Sequence, residues 1–189
     1  MITQAYLACL RRDAAVAHFD PLTGLRNRRG LESAVSGLTD HIAGVAVLLA
    51  DLDNFKSVND NFGHGYGDDV LRRTADALNR MFPPPAVTAR TGGEEFVVVS
   101  AGPLAGTARA AENLRRAIPA CNTKGTTTTS IGIHYRNLPM ENVSGALDEL
   151  LASADSAMYE AKRHGGNSVV VDGHDDGPKT PLVLPIAHD

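Results

Sequence analysis

Apolar residues recur along this chain in blocks that alternate between helical and extended spacing. Residues 2–18 carry Leu7, Leu10, Ala14 and Ala17 at steps of three and four, which predicts a helix. The stripe is about two heptads long, whereas a coiled coil is recognised over about three or four. A helix docked on its own domain and a dimerising connector both remain open.

The later blocks predict a mixed α/β order. A loop at 20–24 precedes a helix at 28–37, and the apolar run Val45–Leu49 indicates a buried strand that ends at residues 51–53. The further predicted elements are a helix at 68–81 after a glycine-containing break at 63–67, strands at 86–90 and 96–99, a helix at 104–118, a strand at 126–135, a helix at 144–163 and a strand at 168–171. This order predicts a central mixed sheet with surrounding helices and an antiparallel hairpin. Residues 1–18 are then an N-terminal helix or linker, 19–171 the domain, and 172–189 a flexible tail.

Composition excludes several classes of protein. The 43% apolar and 21% charged shares are typical of a soluble globular domain. A net charge of −4 and the absence of interleaved aromatic residues argue against a nucleic-acid surface, so the arginine pairs are interpreted mostly as solvated helix faces. These pairs are Arg11-Arg12, Arg28-Arg29, Arg72-Arg73 and Arg115-Arg116.

Cysteine usage and hydropathy indicate the compartment. Cys9 and Cys121 form neither a disulfide framework nor a metal-ligand spacing, so we expect a reducing, cytoplasmic location. The apolar run at 42–50 is far shorter than the roughly 20 residues that cross a bilayer, so no membrane segment is expected.

Acidic residues stand where two predicted strands end. Asp51 and Asp53 follow the buried strand, and we expect them to face opposite sides, so that only one serves a site. Glu94 and Glu95 follow the Gly92-Gly93 turn of the hairpin. Alone, the aspartate pair more often caps a loop than binds a metal, and a glutamate pair on a hairpin is usually solvated surface. Brought together, the carboxylates would suit Mg²⁺, which favours carboxylates, water and substrate phosphates.

Three segments carry a family resemblance: Asp51-Leu52-Asp53-Asn54-Phe55-Lys56-Ser57-Val58-Asn59-Asp60, Gly63-His64-Gly65-Tyr66-Gly67-Asp68, and Arg90-Thr91-Gly92-Gly93-Glu94-Glu95-Phe96. They resemble successive signatures of the GGDEF family, the last in its GGEEF variant. Asp20-Pro21-Leu22-Thr23-Gly24-Leu25 with Asn27-Arg28-Arg29, the segment 129–133, and Ala154-Asp155 through Lys162 are similar as well. The resemblance therefore covers roughly residues 18 to 171.

The resemblance implies a fold like that of adenylyl cyclase and polymerase palm domains, with the GGEEF hairpin bordering a nucleotide site. It also implies roles for single residues. The implied metal ligands are Asp51, Glu94 and the backbone carbonyl of Leu52, with Glu95 assisting. The implied substrate contacts are Asn59 and Asp68 to guanine, the backbone amides of Asn54, Phe55 and Lys56 to phosphate, and the ammonium groups of Lys56 and Lys162 to phosphate.

The implied activity is that of a diguanylate cyclase, which condenses two GTP into cyclic di-GMP and pyrophosphate. Two Mg²⁺ or Mn²⁺ ions would serve each GTP half-site, and two copies would face each other as a homodimer. An upstream sensor or regulatory domain is the implied partner in the full protein. Two alternatives stay open: a weak or inactive GTP-binding module, and a different nucleotidyl cyclase.

Two positions depart from the family pattern. Gly166 stands where the family usually has a phosphate-binding arginine after glycine, which predicts reduced but retained activity, with Arg163 or His164 as substitutes. Pro83 and Ala86 stand where many members have the Arg-x-x-Asp that binds product. We therefore expect no product inhibition through that position.

Overall fold

The computed structural model describes residues 18–36, 44–120, 127–137 and 143–173, together with the backbone of 182–183. The strands are β1 (Gly44–Leu52), β2 (Val87–Arg90), β3 (Glu95–Ala101), β4 (Thr129–Asn137), β5 (Val169–Asp172) and β6 (Leu182–Val183). The helices are α1 (Arg28–Val35), α2 (Phe55–Phe62), α3 (His64–Met81), α4 (Leu104–Ala120) and α5 (Val143–Arg163). None of these helices has both the length and the apolar character that a membrane-spanning helix needs. The predicted helix over residues 2–18 lies almost wholly outside the described ranges, as do Cys9 and Cys121.

The strands form one sheet in the order β2-β3-β1-β4-β5-β6. Strand β1 is central and pairs antiparallel with both β3 and β4, while β4 and β5 are parallel. The β2–β3 hairpin lies at one edge. The predicted mixed sheet with helices around it and a hairpin is confirmed. Strand β6 lies in the segment expected to be a flexible tail and pairs antiparallel with β5.

Helices cover both faces of the sheet, and the alternation of side chains along β1 divides the core in two. Ala46, Leu48 and Ala50 pack in the cluster that includes α2, α3 and α4. Val45 and Val47 pack in the other cluster, against α1 and α5. All nine residues of β1 are buried, which explains why the strand is continuously apolar in sequence. Asp51 continues the series of odd-numbered positions, so its side chain is on the α5 face.

One helix was not predicted, and another begins earlier than expected. Helix α2 occupies the polar segment after β1, where Phe55 and Val58 are its buried residues. These two are spaced three apart, a weak helical signal in a stretch that is otherwise polar. Gly63, at φ +81°, separates α2 from α3, and α3 then begins at His64 rather than near Asp68. The glycines at 65 and 67 therefore lie inside a helix and do not precede it.

Candidate active site

A cleft of about 390 Å³ opens where β1 ends, between the β2–β3 hairpin and the C-terminal end of α5. Its lining combines carboxylates, one ammonium group and glycine backbone. The lining residues are Asp51, Leu52, Asp53, Asn54, Glu94, Thr128, Lys162, Gly165 and Gly166. Five of the residues predicted for the site from sequence, namely Asp51, Leu52, Asn54, Glu94 and Lys162, are thus brought together here.

Asp51 is a buried carboxylate, with 6% of the residue exposed. Lys162 reaches it from α5, with 2.9 Å between Nζ and the Asp51 Oδ1. Burial raises the pKa of Asp51, and the neighbouring Lys162 opposes that rise. The result is an anion that burial destabilises and that a nearby cation stabilises.

Glu94 lies at the tip of the hairpin, and its main-chain carbonyl accepts a hydrogen bond from the Leu52 amide at 3.3 Å. This bond joins the hairpin tip directly to the end of β1. Burial and the nearby Asp51 carboxylate both raise the pKa of Glu94. Glu95 faces Asp51 in the β1–β3 register, but it does not line the cleft. Its carboxylate lies close to Gly92 instead.

The hairpin tip is held in place by Arg90, the last residue of β2. Its Nε and Nη2 donate to the Gly93 carbonyl at 3.2 and 2.7 Å, and its Nη1 donates to both Asp20 carboxylate oxygens at 3.1 and 3.2 Å. Asp20 also accepts from the amide and hydroxyl of Thr23. Burial alone would raise the pKa of Asp20, but the hydrogen bonds from Thr23 and Arg90 outweigh burial and hold the pKa below its usual value. The loop at 20–24 therefore fixes the position of the GGEEF turn.

Asp53 has a structural role, and the expectation that it faces away from Asp51 is wrong. Residues two apart in an extended chain point to the same side, and both carboxylates line the cleft. Asp53 accepts hydrogen bonds from the Thr128 hydroxyl and the Ser130 hydroxyl, each at 2.6 Å, and from the Asn167 amide at 2.9 Å. It thereby joins β1, β4 and the turn after α5. The Thr-rich segment before β4 was the sequence signal for these partners, but its side-chain role was missed.

Of the predicted guanine and phosphate contacts near α2 and α3, Asn54 is the one that lines the cleft. Asn59 is half-buried on α2, and its amide lies against Gly67, where a Cβ would be only 3.0 Å from the Asn59 Cγ. Asp68 is half-buried on α3, directly after that glycine. Phe55 is buried, so only its backbone could meet a substrate, and Lys56 is exposed.

Asn54 begins α2 in the left-handed conformation at φ 56°. Its carbonyl accepts from the amides of Ser57 and Val58. The start of α2 consequently borders the cleft, and the N-terminus of a helix favours anions through its amides and dipole.

The turn after α5 carries the departure at Gly166. This residue has φ +76°, and a Cβ there would lie 3.1 Å from the Asp53 Oδ1. An arginine at this position would have to fit a backbone that suits glycine. The predicted substitutes are engaged elsewhere, since Arg163 pairs with Glu160 and the His164 Nδ1 is 2.8 Å from the Glu160 carbonyl. Among the residues found to line the cleft, Lys162 is the one lysine or arginine.

The donor set suits a divalent cation in part. Burial and the Asp51 carboxylate raise the pKa of Glu94, and two like charges held close together are what a hard cation relieves. The Leu52 carbonyl at the same strand end could add a third oxygen. In the described part of the chain, no three acidic, histidine or cysteine side chains gather closely enough to hold a metal alone. A metal here would thus depend on backbone, water or substrate phosphate for its other ligands.

Comparison with known proteins agrees with this geometry. The family model described as "Diguanylate cyclase, GGDEF domain" matches residues 17–168. Diguanylate cyclase VdcA of Vibrio cholerae is 34% identical over 174 residues, covering 87% of this chain and 49% of VdcA. Probable diguanylate cyclase DgcT of Escherichia coli is also 34% identical over 174 residues, covering 38% of DgcT. The chain thus spans half or less of the length of these relatives.

Solved structures show the same fold. The coiled coil and GGDEF domain of DgcB from Caulobacter crescentus, in complex with c-di-GMP, matches with a TM-score of 0.74 at 30% identity, covering 89% of this chain and 91% of that one. A second microbial GGDEF domain, described with cyclic di-GMP, matches with a TM-score of 0.73 at 28% identity, covering 84% of this chain and 99% of that one. From the family match over most of its length and the agreement in fold, this chain belongs to the GGDEF family of diguanylate cyclase domains.

Proposed function

We propose that this domain condenses two GTP molecules into cyclic di-GMP and releases two pyrophosphates. The observation that carries the proposal is the meeting of Asp51, Glu94 and Lys162 in one cleft at the end of β1. Two carboxylates and one ammonium group are a suitable set for a polyphosphate bound with divalent cations. Family membership and the diguanylate cyclases among the relatives support the same activity.

The triphosphate would lie between Lys162 and the start of α2. Lys162 is 40% exposed at its side chain, so its ammonium group can reach a ligand in the cleft. The first amides of α2, from Asn54 to Lys56, would donate to phosphate oxygens. Lys56 is exposed and would contribute its charge from the rim.

Guanine would be read by Asn59 and Asp68. An aspartate carboxylate can accept from both the N1–H and the N2 amino group of guanine, while an asparagine amide can donate and accept. The two residues lie on consecutive helices on either side of Gly63, and the close contact of Asn59 with Gly67 brings the Asn59 amide to the start of α3. This placement supports a base site separate from the carboxylate cleft.

Asp51, Glu94 and the Leu52 carbonyl would hold Mg²⁺ or Mn²⁺. When bound, two such ions per half-site would offset phosphate charge and lower the pKa of the ribose 3′-hydroxyl. Glu95, outside the cleft lining, would assist through its charge. Without the substrate, Lys162 supplies the positive charge that Asp51 requires.

In the reaction, the 3′-oxygen of one GTP forms a bond to the α-phosphorus of the other. The bond between that phosphorus and the α,β-bridging oxygen breaks, and pyrophosphate leaves in line. Glu94, at the hairpin tip, would position the attacking group and accept the hydroxyl proton. Repeating the step with the roles exchanged closes the ring.

One domain presents one GTP, so two copies would face each other about a twofold axis. A homodimer in the cytoplasm, controlled by an upstream sensor or regulatory domain in the full protein, is the working form that we propose. The relatives are longer than this chain, which leaves room in them for such a domain.

The second candidate is a GGDEF-like module that binds GTP with little or no turnover. Gly166 favours it, because the arginine of the family pattern is absent and Arg163 is paired with Glu160. Losing a charged phosphate contact costs on the order of 1.5 to 3 kcal/mol of binding. Retained Asp51, Glu94 and Lys162 favour the enzyme.

The deciding experiment incubates the protein with GTP and Mg²⁺ at concentrations that drive dimerisation. We expect cyclic di-GMP by liquid chromatography and matching pyrophosphate release. Glu94→Gln should lower the rate by roughly a hundredfold or more, as expected for losing a group at the reacting centre. Glu149→Gln is the matched control, because this carboxylate pairs with Arg136 on the exposed surface.

Three outcomes are informative. GTP binding by calorimetry without pyrophosphate release would support the binding module instead. No GTP binding at all would refute both candidates. A mixture of GTP and ATP tests the remaining alternative, since incorporation of adenosine into the product would indicate a different nucleotidyl cyclase.

A further inference from the structure

The turn from Gly165 to Asn167 forms one wall of the cleft in an unusual backbone conformation. Its three residues have φ values of +100°, +76° and +47°. Asn167 is not a glycine, and a non-glycine residue in this region persists where its surroundings determine it. The hydrogen bonds around the turn therefore indicate what keeps this wall in place.

Arg115 is the side chain that reaches the turn from outside the cleft. It lies on α4 with 6% of the residue exposed, although its sequence pattern was interpreted as a solvated arginine pair. Its Nη1 donates to the Asn167 Oδ1 at 2.9 Å and to the Asn167 carbonyl at 3.3 Å. A buried guanidinium thus holds both the side chain and the backbone of the last residue of the turn.

The other side of this guanidinium is fixed by Glu112. Arg115 Nε and Nη2 donate to the two Glu112 carboxylate oxygens at 2.8 and 2.7 Å. A bidentate pair of this kind fixes the plane of the guanidinium, because its two parallel bonds leave little rotation. The donors that face Asn167 are therefore set in direction before any substrate arrives.

From Asn167 the contacts continue into the cleft. The Asn167 amide donates to the Asp53 carboxylate at 2.9 Å, and the Thr128 and Ser130 hydroxyls donate to the same carboxylate. The turn is thereby held between α4 on one side and β1 and β4 on the other. Gly165 and Gly166 of this turn line the cleft together with Lys162, which precedes them on α5.

We infer that Arg115 is a positioning residue for the phosphate end of the substrate, acting through Asn167 on the turn that lines the cleft. This inference rests on the proposed function, because it assumes that GTP occupies the cleft. The hydrogen bonds from Arg115 to Asn167 would also hold the turn in place although Gly166 stands where the family pattern has an arginine. Arg115 itself does not line the cleft.

Arg116 provides a matched control on the same helix. Its Nε also donates to Glu112, at 2.9 Å, but its side chain is 53% exposed. Replacing either arginine by methionine removes one cation from Glu112 and leaves the other in place. Arg115 is the one of the two that has a hydrogen bond to Asn167.

The test compares the affinities of the wild type, Arg115→Met and Arg116→Met for GTP and for GMP, measured by calorimetry in Mg²⁺. We expect Arg115→Met to weaken GTP binding roughly tenfold while GMP binding changes by about twofold or less. Arg116→Met should leave both affinities near the wild-type values. General destabilisation lowers the active fraction for both ligands alike, so the ratio of the two affinities isolates positioning at the outer phosphates.

A wild type that fails to bind GTP would refute the proposed function. A wild type that binds GTP, with an unchanged GTP-to-GMP ratio in Arg115→Met, would overturn this inference alone. If Arg115→Met does not fold, Asn167→Gly removes the Oδ1 acceptor while keeping a residue that accepts positive φ. The same selective loss of GTP affinity is expected there, and an unchanged ratio would again overturn the inference.

Discussion

We predict that Gly67→Ala weakens GTP binding while it leaves the free energy of unfolding nearly unchanged. Gly67 lies in the first turn of α3, where its Cα meets α2 closely. A Cβ at this position would overlap the Asn59 Oδ1, and it would lie 3.0 Å from the Asn59 Cγ and 3.3 Å from the Phe55 Cζ. Carbon atoms in contact prefer about 3.5 to 4.0 Å, so the Asn59 amide has to rotate away.

The expected magnitudes follow from which atoms have to move. The Asn59 amide is the end of a flexible side chain and moves cheaply, while alanine in a helix is favoured over glycine by about 1 kcal/mol. We therefore expect a free energy of unfolding within about 1 kcal/mol of the wild type. Losing one or two hydrogen bonds to guanine, at about 1 kcal/mol each, should weaken GTP binding by roughly five- to thirtyfold.

Gly65→Ala is the control, because a Cβ at Gly65 meets no atom within 4 Å. It adds the same methyl group to the same helical turn without touching Asn59. Urea unfolding gives the stability of each variant, and calorimetry with GTP and Mg²⁺ gives the affinity. If Gly67→Ala binds GTP as tightly as Gly65→Ala, Asn59 does not contact the base as proposed.

Three further predictions concern the brace, the acid stability and the product. Asp20→Ala removes the ion pair with Arg90 and should lower the free energy of unfolding in urea by about 2 to 3 kcal/mol, since this pair is largely buried. Asp148→Ala removes an exposed ion pair with Arg28 and should change the stability little. Equal losses in the two variants would refute the reasoning. The hydrogen bond from Arg115 holds the pKa of Glu112 below its usual value. The ionised Glu112 carboxylate therefore stabilises the fold at pH values above its unfolded pKa of about 4.3. This stabilisation is lost as the pH falls through the lower, folded pKa. Glu112→Gln should consequently be less stable than wild type at pH 7, with a difference that narrows in more acidic urea titrations; a constant difference would contradict this. Cyclic di-GMP should not bind at residues 83–86, which a crystal structure with excess product tests directly.

Much of the fold follows from the sequence because the sheet is strongly patterned. The continuous apolar run of β1 and the Gly92-Gly93 turn predicted a buried strand and a hairpin, and both are present. Helix α2 was missed because only Phe55 and Val58 of that segment are buried, too few for a clear period. Elements with a wide apolar face were thus more predictable than a short helix that supports a site.

The site was predictable where motif residues themselves meet, and less so where distant residues support them. Asp51, Glu94 and Lys162, which the resemblance assigned to the site, line one cleft, while their roles in binding and catalysis stay predictions. The anchoring of Asp53 by Thr128, Ser130 and Asn167 depends on side-chain directions across three elements, which spacing does not encode. The burial of Arg115 was hidden for the same reason, because its partner Asn167 is 52 residues away.

The brace at Arg90 also has a mechanical meaning. Asp20 follows His18 by two positions, and the Asn27 amide donates to the His18 carbonyl, so the chain enters the domain on a segment already fastened to it. From Asp20 a single guanidinium leads to the Gly93 carbonyl, beside the glutamate proposed to act on GTP. A displacement of Asp20 would therefore reach the turn that carries Glu94 through one side chain, that of Arg90. The position of the hairpin tip is thus coupled to the loop at 20–24 and does not depend on the sheet alone.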